Sequence, residues 1–345
     1  MSSSNLDHAD ASAQAFGGVV REDVMNKIWD ISNIPLPFTD MLSKGTHSNR
    51  RVEWTEDELA APVTNNAVVD GADVSQNNAK LGTRLGNFTQ IAVKEVQVSH
   101  SLEAANTIGN QGSIAYQVKE RQKELRRDVE AQMLTHQGSV AGDGATTAGI
   151  SAGIGAQLKT HVSVGAGAGA VGGFNTSTGL FVAPVAGTKR ALSETTIRDI
   201  LQGVYESGGN TSTLMARPPV IRKLSEYLFT DTARVATISS DKSQNAPSAL
   251  TAYGSVNVFV TDFGQTITLQ DNRLQPQDAA GVSSVYLLDP SHLKQSFLRG
   301  YQVEPLAKTG LSEKRLMSAE YSFLVLNEKS QGAIFDIDET LAVVA

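Results

Sequence analysis

RVEWTEDELAAPVTNNAVVDGADVSQNNAKLGTRLGNFTQIAVKEVQVS, residues 51–99, decides how the rest of the chain is read. Its two ends, RVEWTEDEL and NFTQIAVKEVQVS, alternate apolar and polar side chains, as strands with one buried face do. The centre, VVDGADVSQNNAKLGTRLGN, is polar and rich in turn formers. Such a stretch cannot build a core of its own, so residues 51–98 are predicted to form one long β-hairpin with an exposed tip. Nothing within the chain gives so polar a hairpin a reason to be ordered. It gains order by lying on a partner, through backbone pairing and anchors such as Trp54 and Phe88.

The clearest helix follows, SIAYQVKERQKELRRDVEAQMLTH at 113–136. Ile114, Val118, Leu125, Val129 and Met133 fall on one stripe, and Glu124–Arg127 and Arg126–Glu130 are spaced to pair on the wet side. At about 1.5 Å per residue it spans roughly 35 Å, a strut more than a core helix. Arg121, Arg126 and Arg127 are read as either a solvated face or part of an interface.

Before the hairpin, the first residues read as a disordered tail. VVREDVMNKIWDIS then spaces Val20, Val24, Ile28 and Ile31 as a short amphipathic helix, stopped by Pro35 and Pro37. After the strut, residues 138–179 hold twelve of the thirty glycines. SETTIRDILQGVYESGG has a helix start at Ser193 and a Gly-Gly stop, and RPPVIRKLSEYL is a further helix with proline in its first turn. The remainder alternates as strands: SVNVFVTDFG, QTITLQDNR, SSVYLLD, AEYSFLVLNE and GAIFDID. No βαβ rhythm appears, so the fold class is α+β rather than a doubly wound sheet.

With 345 residues the chain can bury one large core or two ordinary ones. A net charge of −7 argues against broad sequence-independent binding to nucleic acid, which needs basic surface to release counterions. No cysteine is present, so disulfides and thiolate chemistry are excluded. The N-terminus lacks a signal-peptide pattern. The longest uncharged span, between Lys159 and Lys189, is small and polar and contains Pro184, so no membrane helix follows from it. A soluble intracellular protein is expected.

Three short motifs invite an enzymatic reading. GISAG places Ser151 as in a nucleophile elbow, but GDGATTA before it is not a strand and no base is placed. GAGAVG, from Gly167 to Gly172, lacks the following helix that would hold a pyrophosphate. FDIDETL resembles the nucleophile strand of haloacid-dehalogenase phosphatases, with Asp336 as nucleophile and Asp338 as acid. That strand comes first in its family, whereas only five residues follow Thr340 here. The carboxylates are read as facing solvent on a terminal strand. The histidines never fall three or four apart, so no metal site is expected. Catalytic residues and cofactors are expected to be absent.

The blocks RVEWTEDELAAP, LGNFTQIAVKEVQVSHSLEAAN, ELRRDVEAQML, VTDFGQTITLQDNRLQP and VYLLDPSHLKQSFLRGYQVEPLAKTGLSEKRLMSAEYSFLVLNEKSQGAI, in that order, resemble the major capsid proteins of tailed bacteriophages. Those have the Hong Kong 97-type fold. The resemblance runs from about Val20 to Ile337 and leaves out the Gly-rich tract and the C-terminal tail. It implies an N-terminal arm (1–50), an extended loop overlapping a neighbouring subunit (51–98), and a peripheral domain with the spine helix and Gly-rich insertion (99–189). An axial domain (190–313) would follow, then return strands of the peripheral domain with a C-terminal tail (314–345). Assembly contacts would fall on Trp54, Asp57, Asp70, Lys80, Arg84 and Phe88 of the loop, on Arg121, Arg126 and Arg127 of the spine, and on Lys308.

The implied partners are further copies of the chain in pentamers and hexamers, with scaffolding, portal and cement or decoration proteins. Double-stranded DNA would be enclosed without sequence-specific contacts, no membrane would be involved, and assembly would take place in the host bacterial cytoplasm. An encapsulin-type nanocompartment shell uses the same fold and is the alternative. A phosphatase using Asp336 is the second alternative.

Overall fold

The computed structural model describes residues 31, 35–65, 67–71, 81–105, 107, 112–229, 258–308 and 310–344. Residues 20–30 of the expected helix and Lys80 lie outside this set. The architecture is α+β: a four-stranded and a six-stranded sheet share one core around a long helix, with two small hairpins attached.

Helix α1 (Pro37–Met41) opens the described chain. Pro37, expected to stop a helix, starts this one, because the first helical residue needs no N–H. Strands β1 (Ser43–Thr46) and β2 (Arg51–Glu56) follow, then β3 (Thr83–Phe88), β4 (Gln90–Ser99) and the short α2 (His100–Ala104). β2 and β3 pair antiparallel from Arg51↔Phe88 to Glu56↔Thr83. β4 does not belong to that hairpin, as the reading of 51–98 as one unit required. It pairs along its whole length with a C-terminal strand instead. The side chains explain this: Val96 and Val98 are buried only by packing under the spine helix with Met317.

The spine α3 (Ile114–Met133) ends three residues before its predicted limit. Its C-terminal half is core, with Leu125, Val129 and Met133 almost fully buried. The predicted surface pairs do not form. Glu124 is taken by Arg121 at 2.5 Å, and Glu130 is fully buried. Glu130 accepts the N–H of Phe38 at 2.9 Å and of Thr39 at 2.7 Å, and the side-chain amide of Asn272 at 2.8 Å. A carboxylate on the strut thus satisfies the orphan donors that open α1.

The glycine-rich stretch carries α4 (Ile154–Gln157), β5 (Val162–Ser163), β6 (Gly173–Asn175) and β7 (Leu180–Val182). α5 (Glu194–Glu206), β8 (Thr213–Ala216), α6 (Pro218–Phe229), β9 (Val258–Val260), β10 (Thr266–Asp271) and β11 (Val282–Leu288) come next. The chain closes with β12 (Leu293–Pro305), β13 (Ser312–Val325) and β14 (Gly332–Asp338).

Two expected boundaries shift. β12, placed with residues 190–313, pairs with β13 and β1 in the four-stranded sheet β1-β12-β13-β4. β14, expected among the return strands, sits in the six-stranded sheet β5-β14-β11-β8-β10-β9. The chain therefore crosses from one sheet to the other at 289–292 and back at 326–331. Burial makes this necessary. All seven residues of β14 and of β11 are buried, so both need partners on each face. Val285, Leu287, Ile334 and Ile337 pack under α5 and α6. Tyr286, Leu288, Ala333 and Phe335 face the shared core with the spine and the four-stranded sheet.

Candidate assembly surface

The β2–β3 hairpin is rooted on its own subunit. Arg51 donates to Gly179 O at 3.3 Å and lies over the Phe88 ring, 5.6 Å from its centroid. Trp54 is half-buried and stacks on Phe181, with ring centroids 6.2 Å apart and planes 18° apart. It was expected to be an exposed anchor for a neighbour, but Phe181 of the glycine-rich tract already covers it. Glu56 accepts the N–H of Glu328 at 3.2 Å, and Lys329 reaches Glu58 at 2.5 Å. Burial, then the nearby Glu328, raise the Glu56 carboxyl above its usual range.

Beyond Glu58 the loop leaves the body. Leu59 is 95% exposed, Val69 81% and Leu81 97%. Leu59 and Val69 on one side and Leu81 on the other thus leave bare apolar side chains at both ends of one loop. The loop is polar overall, so these side chains do not stand out by composition, although the Val68-Val69 pair is a signal. Asp57 and Asp70 are exposed here, the first accepting the neighbouring Glu58 N–H. Arg84 is exposed and pairs across the hairpin with Glu53.

The spine arginines have separate fates. Arg121 is held by Glu124. Arg126 is exposed and lies over Tyr301, 5.4 Å from its centroid. Arg127 has a buried Nε with no hydrogen-bond partner among the described residues. Lys308 is exposed on the segment after β12. These residues do not converge on one point, as an active site would require; they spread over a long hairpin, one helix and one sheet end.

The aspartates of FDIDETL are buried, contrary to the expectation of a solvated end. Asp336 has φ of 62°, the left-handed region, and its Oδ2 accepts the N–H groups of Gly165 and Gly187, each at 2.9 Å. Glycine is needed at both: a Cβ on either would lie 2.2 Å from a backbone oxygen. Asp338 is fixed by Lys189 at 2.8 Å and by Thr340, and these hydrogen bonds hold it well below the usual carboxylate range. Ser151 of GISAG is fully buried, and its Oγ takes the N–H of Phe323 at 3.1 Å and the amide of Asn87 at 3.2 Å. Each motif serves packing of the backbone. Among the described residues no cluster of three or more acids and histidines is arranged to hold a metal ion, and no helix is long and apolar enough to cross a membrane.

Comparison with solved structures defines the class. The capsid protein of a native GTA particle shares the fold with a TM-score of 0.58 at 12% identity, covering 96% of this chain and 99% of that one. The capsid protein of Cyanophage P-SCSP1u aligns at a TM-score of 0.54 and 12% identity, over 92% and 93% of the two chains. The SrpI encapsulin of Synechococcus elongatus PCC 7942 aligns at 0.54 and 12% identity, over 93% and 94%. The molecule thus has the Hong Kong 97-like fold of shell-forming proteins. Sequence narrows the class: the profile of the SU10 major capsid protein family matches residues 6–338, and the chain belongs to that family. The major capsid protein of Escherichia phage Phieco32 is 26% identical over 331 residues, 87% of this chain and 89% of that one. The chain is a major capsid protein of a tailed bacteriophage, and the encapsulin likeness is one of fold alone.

Proposed function

We propose that copies of this chain assemble as pentamers and hexamers into an icosahedral shell enclosing double-stranded DNA, with the β2–β3 loop as a clasp laid over an adjacent subunit. The observation that carries the clasp is the contrast along one hairpin: residues 51–58 are tied to the subunit, while Leu59, Val69 and Leu81 are bare. A net charge of −7 suits a wall that surrounds DNA without gripping it. In this reading the residues before Pro37 form an arm across neighbours; α1 and β1, expected to belong to it, pack on their own subunit instead. The four-stranded sheet with α3 forms the peripheral domain, and the six-stranded sheet with α5 and α6 the axial domain. Asp57, Asp70, Lys80, Arg84, Arg126, Arg127 and Lys308 contribute rim contacts, which set register and partner choice more than affinity. Scaffolding, portal and cement or decoration proteins are further partners, and assembly takes place in the host bacterial cytoplasm. The protein is structural rather than catalytic.

Deleting residues 66–82 tests the clasp. The variant subunit should keep its circular dichroism and melting profile yet fail to form closed shells by light scattering and negative-stain microscopy. Normal shells from the deletion variant would remove the clasp role.

A further inference from the structure

A cavity of about 270 Å³ opens where the segment after β7 and the end of the spine meet β14 of the six-stranded sheet. Its walls include Pro184, Val185 and Pro276 on the apolar side, and His136, Asp278 and Asp336 on the polar side. Asp336 is 3% exposed and spends only one oxygen on Gly165 and Gly187; among the described residues no hydrogen bond reaches Oδ1. Asp278 accepts the Ser284 hydroxyl through Oδ2 at 2.6 Å, while Oδ1 stands 3.4 Å from His136 Nε2. No lysine or arginine lines the space. Two arginines stand behind the walls and offset part of the negative charge: Arg217, set against Glu339 at 2.6 Å, attracts Asp278, and Arg190, bonded to Ser163 at 2.8 Å, attracts Asp336. Burial lowers the His136 pKa and raises that of Asp278.

We propose that this cavity is a binding site for an alkylammonium group, with Asp336 and Asp278 receiving the charged head and the proline and valine wall covering the methylene stem. Charge selects the ligand: two carboxylates repel phosphate and carboxylate ligands. Shape selects the rest. No set of three liganding groups comes together to hold a metal ion among the described residues, whereas an ammonium on a flexible carbon stem needs only one or two acceptors and an apolar wall. Such a group can be a free amine or the lysine side chain of a neighbouring copy in the shell.

The test uses n-butylammonium with the full-length unassembled subunit and with assembled shells, followed by calorimetry and ligand-observed NMR. Asp336→Asn keeps an acceptor for Gly165 and Gly187, tolerates the left-handed backbone, and replaces the free oxygen with an amide. Asp278→Asn likewise keeps the Ser284 bond. Saturable binding to the wild-type subunit, with Kd on the order of 1 mM, weakened at least about tenfold in each variant with unchanged melting, is the expected result. Binding that persists in shells identifies a free amine as the source. Binding lost in shells, with shell yield reduced in the Asn variants, identifies a neighbour's lysine. No saturable binding to the subunit, or equal binding by wild type and both variants, overturns the site.

Discussion

Gln331 closes both backbone polar groups of Asp289. The Asp289 N–H donates to its Oε1 at 2.8 Å, and its Nε2 donates to Asp289 O at 2.9 Å. The two residues lie on the two segments where the chain crosses between sheets, and Gln331 is fully buried. One amide therefore fixes the distance between the outgoing and returning crossovers. Gln331→Leu should lower subunit stability by about 1–3 kcal/mol in urea unfolding, since it strands the buried Asp289 N–H, while Asp289 O keeps the His292 N–H at 3.3 Å. A loss under about 0.5 kcal/mol would mean that water or a shifted backbone replaces the clamp.

Glu130 makes a parallel prediction for the arm. Glu130→Ala leaves the N–H groups of Phe38 and Thr39 and the amide of Asn272 without their acceptor. Hydrogen exchange should rise selectively at the amides of 38–41, with a stability loss of roughly 3 kcal/mol. Glu130→Gln should retain part of both, because an amide oxygen still accepts. Unchanged protection at 38–41 in the Ala variant would show that α1 is held by Phe38 packing alone.

Root and tip of the hairpin should separate experimentally. Trp54→Ala removes the stack on Phe181 and should cost roughly 2 kcal/mol of subunit stability, with faster exchange at 51–56 and 83–88. Leu59→Ser with Leu81→Ser touches only exposed side chains. It should leave the melting curve within about 0.5 kcal/mol of wild type while reducing shell yield. If the double variant assembles normally, the bare apolar tip is not covered in the shell.

Acid should weaken the subunit through its histidines. Burial lowers the pKa of His136, His47 and His161 below the usual 6.5, against the opposing pull of Asp278 and Asp336 on the first, Glu320 on the second and Glu328 on the third. A depressed histidine pKa means that the unfolded chain binds the proton first. Stability is then fully present above pH 6.5 and falls as the pH drops below it, levelling off once the folded pKa is passed. For His136 the slope is at most about 1.4 kcal/mol per pH unit. His136→Gln should flatten the dependence between pH 6.5 and 5; an unaltered slope would assign it to other groups.

Local pattern carried a great deal. The spine helix, α5, α6 and most strands were legible because a repeat of 3.6 or 2 is a property of neighbouring residues, but the hairpin's returning strand, β3, lay inside the stretch read as its turn-rich centre. The order of these elements, read with the resemblance of the quoted blocks, sufficed for the α+β class and for the capsid family.

What sequence could not decide was partnership across long separations. β4 and β12 look like any alternating strands, and only the fold assigns Met317 to Val96 and Val98, or Phe181 to Trp54. Glu130 sits at a spacing suited to a surface ion pair, yet it caps a helix more than 90 residues away. Asp336 and Asp338 resemble a catalytic pair, but Gly165, Gly187 and Lys189 make them backbone anchors. Periodicity fixes which face of an element is apolar. It does not fix which face it meets, because that depends on the summed burial of strands and helices hundreds of residues apart, a quantity no local window contains.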